Sequence, residues 1–217
     1  IFNAVTRAGA EAANYPFCTI EPNVGMVEVP DARLQQLADL VQPQRVVPAV
    51  MQFVDIAGLV AGASKGEGLG NQFLSHIREV DAILHVVRCF EDDDIVHVSG
   101  SIDPLRDAEI VETELILKDM ETIEGALNKT EKMVRGGDAE AKIRLSAFQK
   151  IKALLNVGKL AKNAELTEEE EKAMRGVGLL TAKPLFYCAN VREDELQSEN
   201  EAVRKLREYA AQHNSEV

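Results

Sequence analysis

Cysteine is scarce in this chain, and what there is cannot organise it. Cys18, Cys89 and Cys188 are an odd number, widely spaced, with no Cys-x-x-Cys pair, so neither a disulfide framework nor a zinc site is indicated. Each lies among apolar neighbours and reads as a buried, reduced thiol. Tryptophan is absent. No apolar run reaches the roughly 20 residues that a membrane-spanning helix needs, and the opening IFNAVTRAG lacks the anatomy of a secretory signal. A cytoplasmic protein is expected. Positive charge is short as well: 24 lysines and arginines face 36 acids, a formal charge of −12. That excludes nucleic-acid binding over the whole surface, because phosphates would be repelled, but it leaves room for a local basic patch. An initiator methionine is missing too, and the first residues read as the inside of a helix. The expectation is a segment of a longer chain. At 217 residues it can still bury a core, as one domain or two.

What is present is alternation. Val24 to Val29 alternates apolar and polar and stops at Pro30-Asp31, a half-buried strand and a turn. Leu34, Leu37, Ala38 and Val41 then share one face of a short helix over Ala32 to Val41. Ala49 to Val54 is a second strand, and Asn71 to Val80 a helix aligned on Phe73, Ile77 and Val80. The runs Ala82 to Val87 and Leu185 to Ala189 are almost wholly apolar, as strands covered on both faces of a parallel sheet would be. Glu199 to Gln212 closes the chain as a helix. Strands alternating with helices predict an α/β doubly wound, mostly parallel sheet.

Between the last two strands the pattern changes. Ile116, Met120, Ile123, Leu127, Thr130 and Val134 form a heptad-like stripe. Arg135-Gly-Gly-Asp138 supplies a stop, a turn and an N-cap, and Leu145, Phe148, Ile151 and Leu155 line a second helix. Thr167 to Glu170 has the spacing of a capping box. An antiparallel helical hairpin inserted into the α/β domain is expected. From Asn128 to Lys162, nine basic residues face three acids, a net of +6 that leaves −18 on the rest of the chain. Lysines on an exposed helix usually only solvate it, yet this separation would suit an arm that touches RNA phosphate.

Three short motifs carry the chemistry. In FVDIAGLVAGASKGEGLG, over residues 53–70, an aspartate leaves a strand and a glycine follows three residues later. Asp55 could hold magnesium through water, and Gly58 could bring its N–H to a γ-phosphate. The plainer alternative is a capped loop and a glycine turn. Many phosphate switches place a water-positioning glutamine next; here it is Leu59. Upstream, Thr19 lies in the loop NYPFCTIEPN, where a switch threonine could complete a magnesium shell. Most loop threonines do nothing of the kind. The third motif is Asn190-Val-Arg-Glu193, at the end of an apolar strand. GTP-binding proteins place Asn-Lys-x-Asp there, whose aspartate accepts hydrogen bonds from guanine. In this chain Val191 replaces the lysine and Glu193 the aspartate. The longer carboxylate would disturb the guanine contact, which makes adenine plausible.

In this order, each after a strand, these residues resemble the Obg-like ATPase family, also called YchF, within the translation-factor class of P-loop NTPases. The resemblance rests on IFNAVT, NYPFCTIEPN, FVDIAGLVAGASKGEGLGNQFL, HVVRCF, IVHVSG, the helical insertion and the Asn-x-x-Glu of FYCANVRE. It implies a Ras/Obg-like G domain in two parts, 1–107 and 183–217, around a coiled-coil insertion over 108–182. The family's P-loop, Gly-x-x-x-x-Gly-Lys-Ser-Thr, would precede Ile1, and a TGS domain would follow Val217. It implies a magnesium-dependent ATPase switch that binds ribosomes, as large subunit or assembled particle, with the basic hairpin reaching RNA. Thr19 and Asp55 would serve the metal, and Gly58, Asn190, Val191 and Glu193 the nucleotide. Potassium stimulation, as in some relatives, is a further implication. With Leu59 unable to act, the resemblance offers His97 as the residue that orients water; the alternative is an ordinary loop histidine. His76 and His85 read as structural, and His213 as lacking a partner. The competing function is a nucleotide-sensing, ribosome-binding adaptor with negligible turnover.

Overall fold

The computed structural model describes all residues except 8, 10–21, 57–61, 63–68, 93–101 and 199. It divides into two compact units, Ile1–Gly58 and Leu59–Val217.

The first unit holds α1 (Phe2–Thr6), β1 (Asn23–Glu28), α2 (Ala32–Val41) and β2 (Val50–Asp55). β1 and β2 pair antiparallel, with Asn23 opposite Asp55 and Glu28 opposite Val50. Gly25 is required where β1 meets α1: a Cβ there would lie 2.4 Å from Thr6 Cγ2, closer than any side chain can sit. Asp31 caps α2, accepting from the Arg33 N–H at 2.9 Å. Gln42 ends it in the left-handed region at φ 46°, its N–H donating to the Ala38 carbonyl at 2.8 Å. Of the predicted apolar stripe on α2, Leu34 and Ala38 are half-buried while Leu37 and Val41 are exposed.

The second unit holds α3 (Leu69–Glu79), β3 (Ile83–Arg88), α4 (Pro104–Arg135), α5 (Ala139–Asn156), α6 (Glu168–Met174), β4 (Leu185–Asn190) and α7 (Glu201–Gln212). β3 and β4 run parallel, in register from Ile83–Leu185 to Arg88–Asn190, and α4 packs on β3 while α7 packs on β4. Val87, Leu185 and Tyr187 face these helices and join Ile116, Ile123, Phe148, Ile151, Leu155 and Leu206 in one core. Each such side chain contributes about 1.5–3 kcal/mol by leaving water. On the opposite face Leu84, Val86 and Phe186 are exposed. Within this unit α4 and α7 cover one face of the pair, and no described helix of the unit packs closely on the other.

The hairpin forms as its sequence dictates. Asp103 caps α4, accepting from the Arg106 N–H at 3.2 Å, with Pro104 in the first helical turn. The helix stops at Gly136, Gly137 turns at φ 90°, and Asp138 caps α5 by accepting from the Ala141 N–H at 3.0 Å. Only a residue without a Cβ takes that φ without strain. Ile116, Ile123 and Thr130 are buried, with Met120, Leu127 and Val134 half-buried between them. A 3.0 Å ion pair between Glu124 and Lys152 shows that α5 runs back along α4. Thr167 and Glu170 complete the predicted capping box at the start of α6.

Candidate nucleotide-binding site

At the carboxyl ends of the parallel pair the backbone is tied from both sides. The Asn190 carbonyl accepts the Cys89 N–H at 2.8 Å. The Cys89 carbonyl in turn accepts from Asn200 Nδ2 at 3.0 Å. Asn200 caps α7, its Oδ1 accepting from the Val203 N–H at 2.9 Å. Asn190 is thus held by its main chain and exposed at the strand end. Val191 follows with its side chain packed against the core. Glu193 opens a short 3-10 turn over Glu193–Glu195 and is exposed. Arg192 pairs with Asp194 at 2.8 Å and approaches Glu195 at 4.0 Å. The Glu193 carboxylate has no ion-pair partner among the described residues.

One feature of this edge escaped the sequence reading. Phe90 stands just beyond β3, half-buried, with the Arg88 guanidinium 4.7 Å above its ring. Arg88 is held there by donating from Nε to the Phe90 carbonyl at 3.1 Å and from Nη2 to the Asp92 carbonyl at 3.0 Å. The signal was an aromatic two residues past a strand that ends opposite Asn190. Cys89, between them, is no nucleophile: burial pushes its thiol up to about 11.

In the first unit Asp55 is the last residue of β2, half-buried. Its carboxylate has no hydrogen-bond or ion-pair partner among the described residues. A free, hard oxygen donor at a strand end fits magnesium. Among the described residues no three acids, histidines or cysteines gather as a metal site. Thr19, Gly58, Leu59 and His97 lie outside the described residues. Of the predicted site, then, Asn190, Val191 and Glu193 stand together at one strand end, and Asp55 stands at another.

Two expectations need correction. His213 does have neighbours: its Nδ1 lies 3.9 Å from Glu112 Oε2 and its ring meets Tyr209 edge-on at 4.2 Å. The sequence hid this because Glu112 is 101 positions away on another helix. The basic hairpin is also less basic than its count. Lys150 pairs with Glu170 at 2.7 Å and Lys152 with Glu124 at 3.0 Å, both acids outside the counted window. Near the turn, Lys129, Lys132, Arg135 and Lys142 are exposed and without a carboxylate partner among the described residues. His85, by contrast, is structural as read: burial lowers its pKa to about 4, so it stays neutral beside the Tyr187 ring.

The comparisons with known proteins agree with this frame. Residues 1–129 match the family described as 50S ribosome-binding GTPase. The chain is 56% identical over 219 residues to the ribosome-binding ATPase YchF of Bacillus subtilis, covering all of this chain and 60% of that protein. Against the ribosome-binding ATPase YchF of Haemophilus influenzae it is 54% identical with the same coverage. The chain belongs to the YchF family. A solved YchF GTPase from Schizosaccharomyces pombe shares the fold, with a TM-score of 0.76 at 37% identity over 98% of this chain and 58% of that one. The chain therefore has a domain of the P-loop GTPase class, although the P-loop motif itself is not among its residues, and it spans about 60% of the length of the curated relatives it matches. The relatives' names disagree on the nucleotide, ATPase in some and GTPase in another. The choice of base has to come from the site.

Proposed function

We propose that the intact protein is a cytoplasmic, magnesium-dependent ATPase switch that associates with ribosomes. The observation that carries the reading is the end of β4: Val191 is turned into the core where a guanine-binding protein has a lysine, and Glu193, exposed and without an ion-pair partner among the described residues, stands where it has an aspartate. Asn190 is exposed beside them, and the half-buried Phe90 ring gives the same edge apolar surface suited to a flat base. Adenine offers an amino donor, which the Glu193 carboxylate or a main-chain carbonyl accepts. Residues 1–107 and 183–217 are two parts of one nucleotide-binding core, and 108–182 is its arm.

Asp55, with Thr19, would hold magnesium, which supplies charge neutralisation at the β- and γ-phosphates when bound. Gly58 offers its N–H to the γ-phosphate. Since Leu59 has no group that can orient water, His97 does so, as an imidazole that can accept a proton near neutral pH. Nucleotide binding orders the segments around Thr19 and Gly58, and hydrolysis releases them. The arm reaches ribosomal RNA through Lys129, Lys132, Arg135 and Lys142.

Leu59 also favours a second reading, an adaptor that senses nucleotide and barely turns it over. Single-turnover hydrolysis by the full-length protein, with and without ribosomes, separates the two. The switch predicts ATP turnover that ribosomes accelerate and that His97→Ala slows. A rate that ribosomes leave unchanged, with ribosome binding still dependent on ATP, would establish the adaptor. The same assay in potassium against sodium tests the monovalent cation.

A further inference from the structure

Three carboxylates lie buried on α4: Glu114, which accepts the Gly62 N–H at 2.6 Å, and the pair Glu112 and Asp119. Seven residues apart, the two of the pair share one face of the helix, and they are held in opposite ways. Asp119 is fully partnered. It accepts from the Leu180 N–H at 2.8 Å and from both the Thr181 N–H and hydroxyl at 2.7 Å. Burial raises its pKa while those donors oppose the rise. It fastens the segment that returns from the arm to β4.

Glu112 faces the core instead. The Tyr187 hydroxyl of β4 donates to its Oε1, the Tyr209 hydroxyl of α7 hydrogen-bonds to it, and His213 Nδ1 stands 3.9 Å from Oε2. Glu109 on the same helix adds a second negative charge nearby. His85 reaches the cluster from β3 only through the Tyr187 ring, at 5.7 Å between centroids. The one lysine in range, Lys162, gives its ammonium to the Asn214 carbonyl at 3.0 Å and the Ser215 hydroxyl at 2.7 Å. Burial also lowers the pKa of His213, which weakens it as a counter-charge. Glu112 is thus a carboxyl group inside the core with hydroxyl partners and, among the described residues, no lysine or arginine in contact.

We propose that Glu112 is a proton-responsive tie between the root of the helical arm and β4, the strand that ends in Asn190. As the neutral acid it accepts from Tyr187 and can donate to Tyr209, holding α4, β4 and α7 together. Ionised, it becomes a buried charge without a lysine or arginine in contact, and the root of the arm loosens from the strand. Burial holds Glu112 up at about 7, above its ordinary 4.5, so the change falls near neutrality. The folded state binds this proton more tightly than the unfolded chain does. Stability from the tie is therefore complete below the ordinary carboxylate range and is lost as pH rises to about 7.

The test is made on the full-length protein. Hydrogen exchange at α4, β4 and α7, corrected for its intrinsic pH dependence, is compared at about pH 5.5 and about pH 8, with carbon-13 NMR of the Glu112 carboxyl across the same range. Wild-type protection should fall by at least about ten-fold, with the carboxyl titrating near neutrality, while Glu112→Gln, a mimic of the neutral acid, keeps its protection. An equal loss in Glu112→Gln, or a carboxyl that titrates in the ordinary range, overturns the proposal. Should the glutamine variant not fold, Tyr187→Phe takes its place. Removing a donor to the ionised form should move the loss of protection to higher pH, and an unmoved midpoint overturns the proposal as well.

Discussion

Glu193 and Asp119 show how differently an acid can act in this chain. Glu193 is exposed and has no ion-pair partner among the described residues, so its substitution leaves the fold alone and changes only what the strand end reads. Glu193→Asp is predicted not to restore guanine binding, because the lysine that accompanies aspartate in guanine binders is here Val191, packed into the core. Glu193→Ala should weaken ATP by about 1.5–3 kcal/mol, the worth of a hydrogen bond to a charged group, as read by nucleotide titration. Asp119 is fully buried, and Asp119→Ala would strand three donors at about 1–3 kcal/mol each. Denaturant unfolding should register a loss of about 3 kcal/mol or more; a loss below about 1 kcal/mol would show that water replaces the carboxylate. Neither Asp119 nor Glu112 was legible in the sequence. Both sit in a helix rich in surface acids, and only their hydrogen-bond partners, 61 to 97 positions away, distinguish them.

The elements themselves were largely legible. α2 spans Ala32–Val41 as its stripe predicts, the Gly136-Gly137 turn and the Asp138 cap stand where the sequence puts them, and so does the Thr167 box. These signals are local: a cap or turn is decided within a few residues. Which faces would be covered was not legible, because an apolar run looks alike whether one helix layer or two lies against it. The box carries a prediction of its own. Lys150, together with the Thr167 N–H and the Ser146 hydroxyl, holds Glu170 down at about 2. A depressed folded pKa gives stability that is present above the ordinary carboxylate range and lost as pH falls towards 2. Thermal melts should show that acid limb in the wild-type protein and a shallower one in Glu170→Gln; identical limbs would remove Glu170 from the account. For the arm, Lys150 and Lys152 are already neutralised, while four exposed basic residues near the turn have no carboxylate partner among the described residues. Reversing Lys129, Lys132, Arg135 and Lys142 to glutamate should weaken ribosome association and flatten its salt dependence, with ATP affinity unchanged. Normal ribosome binding by that variant would reduce the basic tip to a solvated surface, and a circular dichroism melt would reveal any damage to the fold.

For the whole molecule, the strand ends are only part of what a nucleotide needs. Residues 1–217 contain no Gly-x-x-x-x-Gly-Lys-Ser/Thr motif, and without that N–H cradle and its lysine the β- and γ-phosphates are not held. This segment, purified alone, is predicted to show no magnesium-dependent ATP turnover, and turnover above background would contradict that. The family was legible because long motif runs are specific, and the comparisons bear it out. The nucleotide was less so, because base choice rests on two positions whose meaning depends on where their side chains point. The central claim is that the end of β4 reads adenine. It is tested most directly by calorimetric titration of the full-length protein with ATP and with GTP in the presence of magnesium. ATP should bind at least as tightly as GTP, and Glu193→Ala should erode that preference; a clear preference for GTP, retained in Glu193→Ala, would contradict the account.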